Sequence, residues 1–199
     1  MISLVILAAG KSTRMKENKL LLKLDGETLI EHVVNTAMRS NVDEVVVVLG
    51  YEAEKVKERL AQLRCRLVVN QNYMKGQSES VKAGLAAVSS NVEAVMVLPA
   101  DVALVDEQTV NKVIDEYGRS KSLIAIASHR RQSGHPILLD GSLFPEISQI
   151  DEETLGLKAV ISRHKQDVKY VEVDTENALI DIDTEEEFYK HFGKRAMPQ

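Results

Sequence analysis

The sequence predicts an α/β architecture with one main, mostly parallel sheet wound on both faces. Three observations carry that expectation. Near-continuous apolar runs recur at residues 2–9 (ISLVILAA), 44–50 (EVVVVLG), 65–70 (CRLVVN) and 94–100 (AVMVLPA), as parallel strands covered on both faces require. Between them, residues 28–40, 52–63 and 79–90 space their apolar side chains by three and four, the period of an amphipathic helix. The strict alternation of the two patterns implies crossover connections rather than hairpins.

The later elements are assigned in the same way. Residues 106–120 form a helix with Asp106 as N-cap, and residues 122–128 (SLIAIAS) form a strand. Residues 129–141 read as an extended pair around Gly134, with Pro136 unsuited to a central strand unless it begins it. Residues 153–164 read as a helix, 168–173 and 178–183 (ALIDID) as strands, and 184–193 as a terminal helix. Thr184 and Glu187 form a capping box at its start. Residues 1–193 are expected to form a single domain, with halves at about 1–105 and 106–193 and a tail at 194–199.

Composition narrows the function classes. The chain has 199 residues, 44% of them hydrophobic, enough for a sizeable core, and no run approaches a membrane span. A net charge of −5 argues against a nucleic-acid partner. The single cysteine, Cys65, rules out an internal disulfide and is read as a buried thiol, which with the absence of a leader-like segment points to a cytoplasmic address.

Chemistry concentrates after the first strand. Residues 11–23 hold five Lys or Arg against one acid, Glu17, and Gly10, Ser12 and Thr13 can turn backbone N–H groups inward. Such a loop suits a triphosphate, which needs fixed dipoles and mobile cations. It is not a P-loop: the Gly required five positions before the Gly-Lys pair would fall at Val5, inside the strand, and no GxGxxG is present. Asp101, at the end of a buried strand, stands where open α/β sheets bind ligands, and Asp106 is the better helix cap, so Asp101 is a candidate metal ligand. Asp181 and Asp183, two apart on the expected strand, share a face and could complete a site for a hard divalent cation. Gly76, Gln77 and Ser78 precede a helix and could read a base edge or simply cap it. Gly134, His135 and Pro136, after Arg130 and Arg131, form a candidate acceptor-binding element.

LAAGKSTRM followed by Lys19, NQNYMKGQSESVKAGL, LPADV, GHPILL and IDIDTEEEF occur in the order found in the molybdenum cofactor nucleotidyltransferases. The chain most resembles the cytidylyltransferases among them. The resemblance implies a Rossmann-like nucleotidyltransferase fold that transfers CMP from CTP to the phosphate of molybdopterin, with Mg2+ (or Mn2+) and loss of pyrophosphate. It assigns the nucleotide to Leu7, Ala8, Ala9, Gly10, Ser12, Arg14 and Lys19, with Arg14, Lys19 and Asp101 catalytic. Asp101 and Asp183 are the implied metal positions, with Asp181 as neighbour. Ala9, where guanosine-using members carry Gly, implies CTP, and Gly134–Pro136 belong to the acceptor half. A molybdenum hydroxylase or its maturation factor is the implied protein partner. The chain departs from the family at Lys16, where Gly is common, at Ala103, where Pro is common, and at Gly156 and Lys158, which only approximate a late Gly-x-Arg. Two other readings stay open: a cytidylyl- or uridylyltransferase acting on a sugar or polyol phosphate, and a non-catalytic cofactor-binding maturation protein.

Overall fold

The structure, a computed structural model, describes residues 1–12, 15, 17–24 and 26–193. In chain order, β1 (Ile2–Ala8) leads through a short 3₁₀ turn, Lys19–Leu21, to the small hairpin β2 (Lys23–Leu24) and β3 (Glu27–Thr28). Then come α1 (Leu29–Arg39), β4 (Glu44–Leu49), α2 (Ala53–Leu60), β5 (Arg66–Val69), α3 (Gln77–Ala87) and β6 (Ala94–Pro99). The second half holds α4 (Glu107–Ser120), β7 (Ile124–His129), β8 (Gln132–Asp140), α5 (Phe144–Ile147), α6 (Leu157–Arg163), β9 (Val168–Glu172) and α7 (Glu185–Phe192).

Seven strands form one sheet in the order β5-β4-β1-β6-β8-β7-β9, in which β8 alone runs antiparallel to its neighbours. β1 sits between β4 and β6, with Ile6 opposite Val47 on one side and Leu98 on the other. The period-two alternation of these strands builds two separate cores. Leu4, Ile6, Val47, Leu49, Met96 and Leu98 face α1, α2, α4 and α7, while Val5, Leu7, Val46, Val48, Val95 and Val97 face α3, α5 and α6. Each fully buried aliphatic side chain contributes about 1.5–3 kcal/mol of burial energy. The sheet, covered on both faces, leaves its strand ends free to carry chemistry.

Three helix starts carry side-chain caps, those at Asp106 and Thr184 as expected. Thr28 and Glu31 form a reciprocal capping box on α1, Asp106 accepts from Thr109 N at 2.8 Å, and Thr184 pairs with Glu187 on α7. Cys65 is half-buried at the entry to β5, and burial pushes its thiol pKa up.

Three expectations are corrected. The β7–β8 hairpin turns at Arg130 and Arg131, with φ of 48° and 67°, rather than around Gly134. Both arginines take the twist a two-residue hairpin needs, and Glu172 Oε1 accepts from Arg130 N at 2.6 Å. β8 is a central strand despite Pro136. Its pairing with β6 begins only at Ile137, and its pairing with β7 slips between Ile137 and Ser133, so Gly134, His135 and Pro136 form an irregularity where no ladder N–H is demanded of the proline. Residues 178–183 are not a strand: Glu176–Leu179 is a 3₁₀ turn and the chain then runs irregularly to Thr184.

Candidate active site

A cleft of ≈ 210 Å³ opens at the C-terminal ends of β1 and β6. Leu7, Ala8, Ala9 and Gly10 form one wall as the chain leaves β1, with Ser12, Lys19 and Leu20 beyond them. Pro99, Ala100 and Asp101 continue from β6, and Tyr73, Gly76, Gln77 and Ser80 close the far side. Ala9 is buried, and its carbonyl accepts from Tyr51 N at 3.2 Å, which fixes the start of the loop. Ser12 adopts φ of 52°, left-handed for a non-glycine residue, and its hydroxyl accepts from Lys19 N at 3.3 Å. The loop is thereby tied back to the turn that presents Lys19. Asn18 caps that turn by accepting from Leu20 N at 3.1 Å. Arg14, assigned a catalytic role from the sequence, lies outside the described residues, as do Thr13, Lys16 and the tail 194–199.

Lys19 links the two ends of the chain. Its ammonium donates to Asp101 Oδ2 at 2.9 Å and to Asp183 Oδ1 at 2.9 Å. Lys19 is buried, which works against its charge, but Asp101 and then Asp183 outweigh that and hold its pKa above the usual value. The carboxylates are brought together by backbone as well as by charge, because Ile182 N donates to the Asp101 carbonyl at 2.8 Å. That contact depends on Gly134. A Cβ there would lie 2.1 Å from the Ala178 oxygen, so only glycine lets the 176–179 turn cross β8 so closely. Gly134 therefore serves the site by admitting the segment that carries Asp183, and it does not line the cleft.

Asp181 lies close enough to Asp101, Asp183 and Lys19 to feel their charges. It and Asp183 flank Ile182, which is buried and bonded to Asp101, whereas Asp181 is exposed. Desolvation, followed by the charges of Asp101 and Asp183, raises its carboxyl pKa. Among the described residues no three His, Cys, Asp or Glu side chains converge into a metal cage, so Asp181 does not complete a ready-made set of three. The remaining pair, Asp101 and Asp183, still fits a hard divalent cation, which is held by one or two carboxylates with waters and phosphate oxygens as its other ligands.

Ser78 is turned away from this cleft. It is buried against Gly156 in an adjoining groove that includes Val81, Glu152, Leu157 and Lys158, and its N–H donates to Glu152 Oε1 at 2.5 Å. Gln77 lines both grooves. Gly76, at φ of 121°, ends the preceding turn and starts α3; a Cβ there would lie 2.0 Å from Glu152. Sequence reasoning missed Ser80 and Tyr73. Helical spacing places Ser80, three after Gln77, on the same face, a signal that was available. Ser80 is buried and its hydroxyl accepts from Asn70 Nδ2 at 3.1 Å. His135 and Pro136 do not line the cleft; the His135 Nδ1 is enclosed with no hydrogen-bond partner among the described residues. Burial lowers the His135 pKa against the pull of Asp101 and the Val97 backbone.

The chain matches the MobA-like NTP transferase domain over residues 4–168. It belongs to that family. The match runs through the phosphate loop, Lys19 and Asp101, and makes the protein a nucleotidyltransferase by family. Among curated relatives it is 30% identical to the nicotine blue oxidoreductase of Paenarthrobacter nicotinovorans, with 94% of each chain covered. It is 32% identical to the bifunctional protein GlmU of Prochlorococcus marinus over 65% of this chain but 29% of the relative, so it spans well under half of that protein. A solved nucleotidyl transferase from Methanothermobacter superposes with a TM-score of 0.84 at 23% identity, covering 96% of both chains. Rv0371c of Mycobacterium tuberculosis, in complex with manganese, gives 0.78 at 23% identity over 96% of this chain and 97% of that one. The 4-diphosphocytidyl-2C-methyl-D-erythritol synthase of Anaerococcus prevotii gives 0.74 at 20% identity over 95% and 93%. At these identities the likeness to the solved structures carries the fold alone, a nucleotidyltransferase sheet with flanking helices. No described helix is long and apolar enough to cross a membrane.

Proposed function

We propose that the protein transfers CMP from CTP to the phosphate of a molybdopterin-type acceptor, releasing pyrophosphate. The observation that carries this reading is the Lys19 ammonium set 2.9 Å from both Asp101 and Asp183, beside a cleft that begins at the Leu7–Gly10 backbone. Cations and carboxylates at a phosphate-sized loop suit charge redistribution at a phosphorus centre. An acceptor phosphate oxygen forms the new bond to the α-phosphorus, and the bond from that phosphorus to the β-phosphate oxygen breaks. A phosphate nucleophile is already ionised at neutral pH, so no protein base is needed. The protein's work is positioning and charge stabilisation.

Ala8, Ala9, Gly10 and Ser12 turn around the triphosphate, and Lys19 neutralises charge on the reacting and leaving phosphates, a role shared with Arg14. Gln77 and Ser80 face the cleft from α3 and are placed to contact base or ribose. Asp101 and Asp183 would hold Mg2+, with Mn2+ as an alternative; the ion supplies Lewis-acid polarisation of the α-phosphate. Ala9 supports cytosine through the family resemblance.

A second reading, CMP transfer to a polyol or sugar phosphate, is favoured by the fold shared with the erythritol synthase. Pyrophosphate release measured with CTP, GTP and ATP against molybdenum cofactor and 2-C-methyl-D-erythritol 4-phosphate separates the two. Release requiring CTP and molybdenum cofactor is expected. Turnover with GTP alone would remove the reading of Ala9, and turnover only with the polyol phosphate would establish the second reading. Conversion of nicotine blue with no pyrophosphate release would place the activity with the Paenarthrobacter relative instead.

A further inference from the structure

Lys19 stands between the two carboxylates assigned above to a divalent cation. We propose that it is a resident counter-cation: it offsets part of the charge of Asp101 and Asp183 in the free protein, and the metal ion enters only when a nucleotide triphosphate draws the ammonium away. The inference rests on the reading that this pair holds the metal.

The backbone segments that carry the two carboxylates are joined by the bond from Ile182 N to the Asp101 carbonyl at 2.8 Å. The ammonium sits between the carboxylates, at 2.9 Å from one oxygen of each acid. A divalent ion held by Asp101 and Asp183 would meet the charge of that ammonium, and like charges at close range repel strongly. The two cations therefore compete. Bare metal has little to offset the displacement, since among the described residues no third acidic, imidazole or thiolate ligand joins the pair. A triphosphate changes both sides of the balance. Its oxygens supply the missing metal ligands, and its charge in the Ala8–Ser12 loop gives the ammonium another partner.

The side chain is built to move in this way. Lys19 N is tied to the Ser12 hydroxyl at 3.3 Å, so the backbone stays with the loop while the four-carbon stem swings. The ammonium can pass from the carboxylates to phosphates held by that loop through rotamer changes alone. The pairing thus makes metal loading conditional on substrate.

Mn2+ binding followed by electron paramagnetic resonance, with no nucleotide and no turnover, tests this directly. Lys19→Met is expected to bind Mn2+ at least tenfold more tightly than the wild type, a change of about 1.4 kcal/mol. Lys19→Arg, which keeps the charge, is expected to stay as weak as the wild type, and Lys19→Gln to follow Lys19→Met if methionine disturbs the fold. Adding Asp183→Asn to Lys19→Met should abolish the gain. Equal affinity in the wild type and Lys19→Met, or tight binding by Lys19→Arg, overturns the proposal. If Lys19→Met binds no Mn2+ while the wild type retains it with CTP, the role of Lys19 alone fails. If neither protein holds Mn2+ even with CTP, the metal assignment fails and the proposal with it.

Discussion

Gly134→Ala should damage catalysis from a position outside the cleft, and its effect can be worked from the geometry. The new methyl would lie 2.1 Å from the Ala178 oxygen, 2.7 Å from the Ala178 carbonyl carbon and 2.8 Å from Leu179 Cδ2. The oxygen must retreat by about 1.3 Å to restore ordinary contact at 3.4 Å. Overpacking of this kind costs roughly 1–3 kcal/mol. Loss of the Ile182–Asp101 backbone bond would add about 1 kcal/mol. At roughly 2–4 °C per kcal/mol for a chain of this size, the Tm should fall by roughly 4–16 °C. The larger consequence is at the site, because the displaced turn leads directly to Asp183. A misplacement of about 1 Å is worth on the order of 100-fold in rate. Pyrophosphate release should show kcat lowered by about that factor, with KM for CTP little changed because the phosphate loop is untouched. Gly118→Ala, at an exposed position of α4 where nothing among the described residues lies within 4 Å of the new methyl, is the matched control and should be neutral or stabilising. A Gly134→Ala protein with wild-type Tm and rate would refute the claim that this glycine positions the acidic segment.

Two further outcomes follow from contacts away from the cleft. Phe188 is fully buried on α7, so Phe188→Ala should cost about 3–5 kcal/mol in urea unfolding and, in molecules still folded, lower transfer by loosening the segment that ends at Asp183. Glu44 is pushed up by partial burial, but bonds from Ser3 and Ser89 and the charge of Arg66 outweigh this and leave its pKa below 4.5. Its stabilisation is therefore complete above pH 4.5 and lost as pH falls through the lower folded value. Glu44→Gln should be roughly 1–2 kcal/mol less stable at pH 7, with the gap closing as pH falls below 4.5 in pH-dependent melts.

The sheet was legible because it rests on local pattern. Runs such as residues 44–50 leave few alternatives to a buried strand, and Asp106 and Thr184 announce the helices they cap. The failures share a cause: tertiary contacts overrode local signals. Arg130 and Arg131 lack the composition of a tight turn, yet the hairpin places both at positive φ with Glu172 holding the amide of Arg130. Residues 178–183 alternate like a strand, but Ile182 gives its N–H to Asp101 rather than to a ladder. Lys19, Asp101 and Asp183 were each identifiable from residue type and position. Their convergence on one ammonium depends on the crossing at Gly134, which no periodicity encodes. Ser78 and Ser80 differ only in helix phase, and phase decides which groove each one meets.

The central claim is that Asp101, with Asp183 and Lys19, forms a site for nucleotidyl transfer. Pyrophosphate release by Asp101→Asn, with CTP, Mg2+ and molybdenum cofactor, tests it most directly. Loss of several kcal/mol of barrier stabilisation predicts a fall in kcat of at least about 1,000-fold with the fold intact. Transfer by Asp101→Asn at close to the wild-type rate would contradict it.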